Sequence, residues 1–227
     1  MRSRLLGRGL SVLAIASVTA VVALTAGGCG GSVRGTGRPN EKLTAADQAH
    51  AKALLLRKID IGGPVEVERQ SLKDDPHYCK ATDQSDLTIT GKAQSKLFSA
   101  HGIDDIASSS ARIYSTAADA AAGWQRATAS AGLECAAASA RRGLQKSGFK
   151  FISLHKVPFP AVAPQTIAYR LTFRETKEQR GYFDYVLLRD SRAATNLVFG
   201  SDLVPWAKAD QIRIARLLAK RMARSAN

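Results

Sequence analysis

Apolar residues recur along this chain at two spacings, and the switches between them divide it into elements. Thr44-Ala45-Ala46-Asp47 offers a hydroxyl to cap orphan amides and a carboxylate near the positive end of a helix. Ala51, Leu54 and Leu55 then make an apolar stripe that predicts a helix to about Lys58, ended by Gly62-Gly63-Pro64. Residues 65–85, with Asp74-Asp75-Pro76, read as loop. From Leu87 the period becomes two: Leu87 and Ile89 alternate with Thr88 and Thr90, the pattern weakens through Ala93 to Phe98, and Ala111 and Ile113 alternate with Arg112 and Tyr114. Both segments predict half-buried strands.

Ser115-Thr116-Ala117-Ala118-Asp119 repeats the capping pattern and opens a helix with Ala120, Trp124, Ala127 and Ala131 on one face. Gly132 interrupts it, and a second helix is expected through Arg142. Thr166–Glu175 is the clearest strand, with Ile167, Tyr169, Leu171 and Phe173 on one side and Ala168, Arg170, Thr172 and Arg174 on the other. A turn at Glu178–Gly181 leads to Tyr182–Arg189, apolar on both faces and so suited to a sheet interior. Asp190-Ser191-Arg192 turns into Thr195–Phe199, completing an antiparallel meander. Trp206–Arg224 predicts a last helix. It buries Ile212, Ala215, Leu218, Ala219 and Met222, and carries Arg213, Arg216, Lys220 and Arg224 on the opposite face. Such a basic stripe is either a solvated face or a contact for an anionic membrane or polymer. The element order predicts a single α+β domain with a largely antiparallel sheet, helices packed on it and a C-terminal helix.

The N-terminus follows the three-part plan of a secretory signal: Arg2, Arg4 and Arg8, an uncharged apolar run from about Leu10 to Leu24, then Ala26-Gly27-Gly28-Cys29. With Cys directly after small residues, it resembles a bacterial lipoprotein signal. That resemblance implies removal of residues 1–28 and attachment of lipid to Cys29 as the mature N-terminus. Ala26 stands where such signals usually carry Leu. Cleavage by ordinary signal peptidase and retention as an uncut anchor are the competing fates, although a span needs about twenty apolar residues. Gly30 to Asn40 has no apolar period and reads as a flexible tether. The expected division is signal 1–28, tether 29–43 and globular domain 44–227, on the extracytoplasmic face of the cell membrane.

With Cys29 carrying lipid, Cys79 and Cys135 remain as a pair in an oxidising compartment, where a disulfide is expected. The net charge is +14, and removing the three leader arginines leaves +11. An exported protein does not meet nucleic acid as a partner; the anions it meets are lipid head groups, wall polymers and acidic saccharides. An Ala- and Arg-rich genome composition gives the same balance, and both readings stay open.

Catalytic patterns fail on context. Ser153-Leu154-His155-Lys156 matches the SxxK of penicillin-binding enzymes, but it sits in the β-leaning stretch Phe149–Val157 without a partner KTG. Thr90-Gly91-Lys92 lacks the rest of a phosphate loop. The acidic doublets Asp74-Asp75 and Asp104-Asp105 read as turn or solvated chemistry. No CxxC occurs and the four His (His50, His77, His101, His155) are scattered, so neither metal nor cofactor is expected. Tyr169, Tyr182, Phe183 and Tyr185 could line a pocket with polar tips, and Arg170 and Arg174 could meet an anion; core packing is the competing reading.

The stretch Leu87–Met222 carries "ARIYSTAADAAAGWQ", a Cys shortly after the Trp helix, "APQTIAYRLTF", "FDYVLLRDSRAATNLVFGS" and a final "ARLLAKRM". In this order it resembles the extracellular sensor-type domains of actinobacteria, both lipoproteins and the outer domain of a mycobacterial receptor serine/threonine kinase. It is more loosely similar to lipoproteins with a Mog1/PsbP-like fold. The resemblance implies an α+β domain presenting a cleft outside the membrane. The kinase sensor domains carry two disulfides, whereas the cysteines here allow one. The reading is a lipid-anchored binding or sensor-like protein of the cell envelope without an assigned ligand. The alternatives are an envelope-acting hydrolase, which needs His155 or His101 gathered with a carboxylate and a Ser, and a lipid carrier, which needs a large apolar cavity.

Overall fold

The structure, a computed structural model, describes residues 37–68, 79–100, 105–175 and 179–225. The expected α+β class is what it shows. A largely antiparallel sheet carries helices on both faces and does not close into a barrel.

The chain enters at β1 (Asn40–Glu41), which pairs in parallel with β3 (Thr88–Gln94). The end of the range expected as tether, 29–43, therefore lies along the sheet edge. The first helix, α1 (Ala45–Ala53), starts as predicted: the Thr44 hydroxyl accepts from the Asp47 amide at 3.1 Å. It does not run to Lys58. Leu54 and Leu56 both turn into the core, and the Leu56 amide donates to the buried Ser109 Oγ at 2.8 Å, so the helix gives way before a short α2 (Lys58–Ile61). Gly62, at φ 83°, closes α2 in a conformation that disfavours a Cβ.

The stretch expected as loop contains a strand and a helical turn. In β2 (Val65–Glu68), Val65 and Val67 alternate with glutamates over too few residues to register as a period. It pairs with β4 (Leu97–Ala100). Lys80–Thr82 forms a 3-10 turn. Strands β3 and β4 lie along the same edge of β5 (Asp105–Tyr114), kinked apart at Ser95-Lys96. There the Ser95 hydroxyl takes the place of a ladder carbonyl, accepting from the Ser109 amide at 2.8 Å and donating to Lys96 O.

The next two helices are α3 (Ala117–Thr128), capped by Thr116 onto the Asp119 amide at 2.9 Å, and α4 (Ser130–Lys146). The break comes at Ala129, and Gly132 serves the joint from inside α4. A Cβ there would stand 2.2 Å from Arg126 O, so its absence lets the second helix start against the end of the first. Ala120 is buried and Trp124 and Ala127 are half-buried, as the period predicts. Ala131 lies past the break and is exposed, and α4 runs beyond the expected Arg142.

The predicted meander is present as β7 (Gln165–Arg174), β8 (Arg180–Asp190) and β9 (Ala193–Asp202), with β6 (Lys150–Val157) on its outer edge. The main strand order is β1-β3-β5-β9-β8-β7-β6. Strand β8 is apolar on both sides because both are covered: Phe183, Tyr185 and Leu187 pack in the cluster under α4, while Val186 and Leu188 pack in the cluster under α1 and α5. The last helix, α5 (Lys208–Ser225), starts two residues later than predicted. Trp206 instead precedes it as a wedge, its ring 5.1 Å from that of Phe199 and its Nε1 donating to Gly200 O at 2.9 Å. Ala215, Leu218, Ala219 and Met222 are buried as expected. Ile212 is only half-buried, and the fully buried isoleucine is Ile214.

Candidate functional site

The chemistry-bearing groups collect around α5, and the reason begins with how that helix is held. Asp60, buried at the end of α2, receives both ends of the Arg221 guanidinium at 2.7 and 2.8 Å and the Arg57 amide at 2.8 Å. Arg221 also donates to Leu55 O at 2.9 Å, and Arg213 donates to Asp60 O and Ile61 O, both at 2.8 Å. Two arginines of α5 thus cap the carbonyls and the carboxylate of α2, satisfying groups that burial would otherwise leave costly.

A second buried carboxylate fixes the other side of the helix. Asp184, on β8, accepts from Arg170 Nε at 2.6 Å and Nη2 at 2.9 Å, and from Gln211 Nε2 of α5 at 2.6 Å. The Asp184 carboxylate holds the Arg170 guanidinium above its already high usual pKa, against the opposing effect of burial. Arg170 is therefore a structural cation across β7 and β8. Tyr169, Phe183 and Tyr185 are core side chains; burial pushes the phenols of Tyr169 and Tyr185 up, and the Tyr185 hydroxyl has no hydrogen-bond partner among the described residues. The core reading of these aromatics is the one the structure supports, with Tyr182 stacked 5.9 Å from the Arg170 guanidinium.

With its inner face so held, α5 turns a basic face outward. Arg216, Lys220 and Arg224 are exposed and spaced four residues apart, so they form one line along the helix. Among the described residues they make no hydrogen bond or ion pair. Beside that line runs an open groove of about 820 Å³, lined by Val162, Ile212, Leu217, Ala219 and Ala223 with Arg213, Arg216 and Lys220 at its rim. Val162 belongs to the β6–β7 connection. That segment is pinned by Thr166, whose hydroxyl accepts from the Val162 and Ala163 amides at 3.2 and 3.0 Å, and by Lys208, which donates to Pro158 O.

A smaller cleft of about 30 Å³ lies on the opposite face under α3, lined by Ser110, Arg112, Tyr114, Trp124 and Asn196. Arg112 reaches Gln84 at 3.3 Å. The cleft has room for water but not for an organic ligand.

The remaining sequence candidates disperse. Cys79 and Cys135 are bonded to each other, with Cα atoms 6.3 Å apart, tying the 3-10 turn to α4. Cys29, the leader, Asp74, Asp75, His77, His101 and Asp104 lie outside the described residues. His155 is exposed on edge strand β6, opposite Arg170 in register. Ser153 faces Thr172 and Lys156 faces Tyr169, which point to opposite sides of the sheet, so these two cannot act as a dyad. Gly91 has a packing role: a Cβ would lie 2.2 Å from Asp47 O, where α1 crosses β3. Among the described residues no group of three or more His, Cys, Asp or Glu gathers to hold a metal ion, and no helix is long and apolar enough to cross a membrane. The groove was not foreseen, although its basic rim was: it is closed on one side by Val162, from a loop whose position follows only from the meander.

No family model matches this chain, and no curated protein matches it. Among solved structures it is similar to the extracellular domain of PknH from Mycobacterium tuberculosis, with a TM-score of 0.44 and 14% sequence identity. The match covers 78% of this chain and 96% of that one.

Proposed function

We propose that this chain is a lipid-anchored, extracytoplasmic binding or sensor-like protein of the cell envelope, and that it binds through the basic groove along α5. The observation that carries the reading is the cysteine pairing. Cys79 and Cys135 join each other, so of the three cysteines in the chain Cys29 alone is left without an intramolecular partner, at the end of a leader built like a lipoprotein signal. A disulfide also suits an oxidising compartment. The groove supports a binding role because two of the cations that line it, Arg216 and Lys220, have no counter-charge among the described residues.

The deciding experiment is intact-mass and peptide mass spectrometry of the protein isolated from membranes of a bacterial host. The expected result is a mature N-terminus at Cys29 carrying a diacylglyceryl mass, released into the soluble fraction by Cys29→Ala combined with an ordinary cleavage site. An unmodified Cys29, or a chain retaining residues 1–28, would overturn the anchor.

A further inference from the structure

We infer that the outer face of α5 docks on an anionic phospholipid bilayer, so that the domain lies on the membrane that anchors it. This deepens the binding reading above and rests on it. Helix α5 carries six basic residues and one acid, Asp210, which is engaged with Arg213 at 3.3 Å. Arg216, Lys220 and Arg224 rise along one line over about 12 Å of helix axis. An array of this kind attracts phosphate head groups, at about fivefold in binding per cation.

Charge alone suits a wall polymer as well; the apolar groups select the bilayer. Between the cations, the groove presents Ile212, Leu217, Ala219 and Ala223. Ile59 is 85% exposed on α2, the element whose carbonyls Arg213 holds, and Leu203 and Val204 are 64% and 68% exposed in the segment that leads into α5. Ile212 and Leu217 in the basic groove, with exposed aliphatic side chains on the segments that adjoin α5, match the boundary between head groups and acyl chains, and a hydrated polymer offers nothing to them. Chain length agrees. The eight steps from Cys29 to Gly37 span at most about 29 Å, so an anchored domain stays within its own diameter of the lipid surface.

The test uses the full-length protein reconstituted in vesicles, with lysine acetylation read by mass spectrometry. In phosphatidylglycerol vesicles at low salt, Lys220 is expected to label at least about threefold more slowly than in phosphatidylcholine vesicles. Lys146, on α4 across the sheet, labels equally in both. The difference closes in 0.5 M salt, which screens exposed charges beyond a few ångströms, and in the R216E/R224E variant, whose altered residues have no partners among the described residues. Equal labelling of Lys220 in the two vesicle types overturns the inference. So does protection by a soluble polyphosphate that exceeds protection by the anionic vesicles, which would identify a polymer as the partner. The N-terminal peptide in the same digest reports acylation of Cys29 separately, so failure of the anchor and failure of the docking face are told apart.

Discussion

Asp60 shows how one residue sets the position of the basic face of α5. Its carboxylate is buried, and three donors converge on it: two from Arg221 and one from the Arg57 amide. Removing such a carboxylate leaves a half-buried guanidinium without its counter-charge, which costs more than the pair contributed when intact. Asp60→Ala is expected to destabilise the protein by about 3–5 kcal/mol, the range for breaking a buried pair, measured as a shift in the urea unfolding midpoint at constant slope. A loss under about 1 kcal/mol, the size of a surface pair, would mean that α2 and α5 are held by packing alone. Nothing in the sequence marks this contact. Asp60 and Arg221 are 161 residues apart, and each looks like an ordinary solvated charge on a helix.

At the scale of elements, what was legible is what local chemistry controls. The caps at Thr44 and Thr116, the alternation in β7 and the two-sided apolar run of β8 are all properties of a few neighbouring residues, and each element forms where those residues place it. Boundaries set from elsewhere were not legible. Helix α1 stops early because Ser109, 53 residues away, captures the Leu56 amide. Ile214 outranks Ile212 because the tilt of α5 is fixed by Asp60 and Asp184. The groove shares that origin, since Val162 comes beside α5 only once the sheet is assembled.

Helix α1 also carries a titrating group. Burial pulls the His50 pKa below its usual 6.5, the nearby Asp47 carboxylate opposes that pull, and the Arg192 charge adds to it. Its Nε2 has no hydrogen-bond partner among the described residues. A base whose folded pKa is depressed binds protons more readily in the unfolded chain, so stability falls as pH drops below about 6.5 and goes on falling to the folded pKa. Asp47 adds to the loss at more acid pH: burial raises its pKa, but the hydrogen bonds of Thr90 and Arg192 and the Arg192 charge together hold it below the usual carboxylate range. His50→Gln is expected to flatten the decline between pH 6.5 and 5 while leaving the steeper one below pH 4. Unfolding midpoints across that range decide it; an unchanged slope in the variant would place the titration elsewhere.

For the molecule as a whole, the disulfide ties the segment ahead of β3 to α4, a link the sheet alone does not make. Cys79 precedes the 3-10 turn at Lys80–Thr82, and its partner sits within α4, so the bridge closes a loop of 56 residues containing β3, β4, β5 and α3. In the chain-entropy account, opening a loop of that length costs about 4 kcal/mol, because the reduced unfolded chain gains freedom the oxidised one lacks. Reduction should therefore lower the unfolding free energy by about that amount without dispersing the fold, since the β7–β8–β9 meander and the α2–α5 contacts lie outside the loop. Urea titrations with and without reductant measure the difference, and the slope should rise on reduction as the unfolded chain expands. The site itself predicts a contrast: Asp60 and Asp184, which place the α5 groove, are not within the bridged loop. Protection of Lys220 from labelling in anionic vesicles should accordingly survive reduction under native conditions. Loss of that protection on reduction would show that the groove depends on the distant α3–α4 layer and that the two faces of the sheet unfold together.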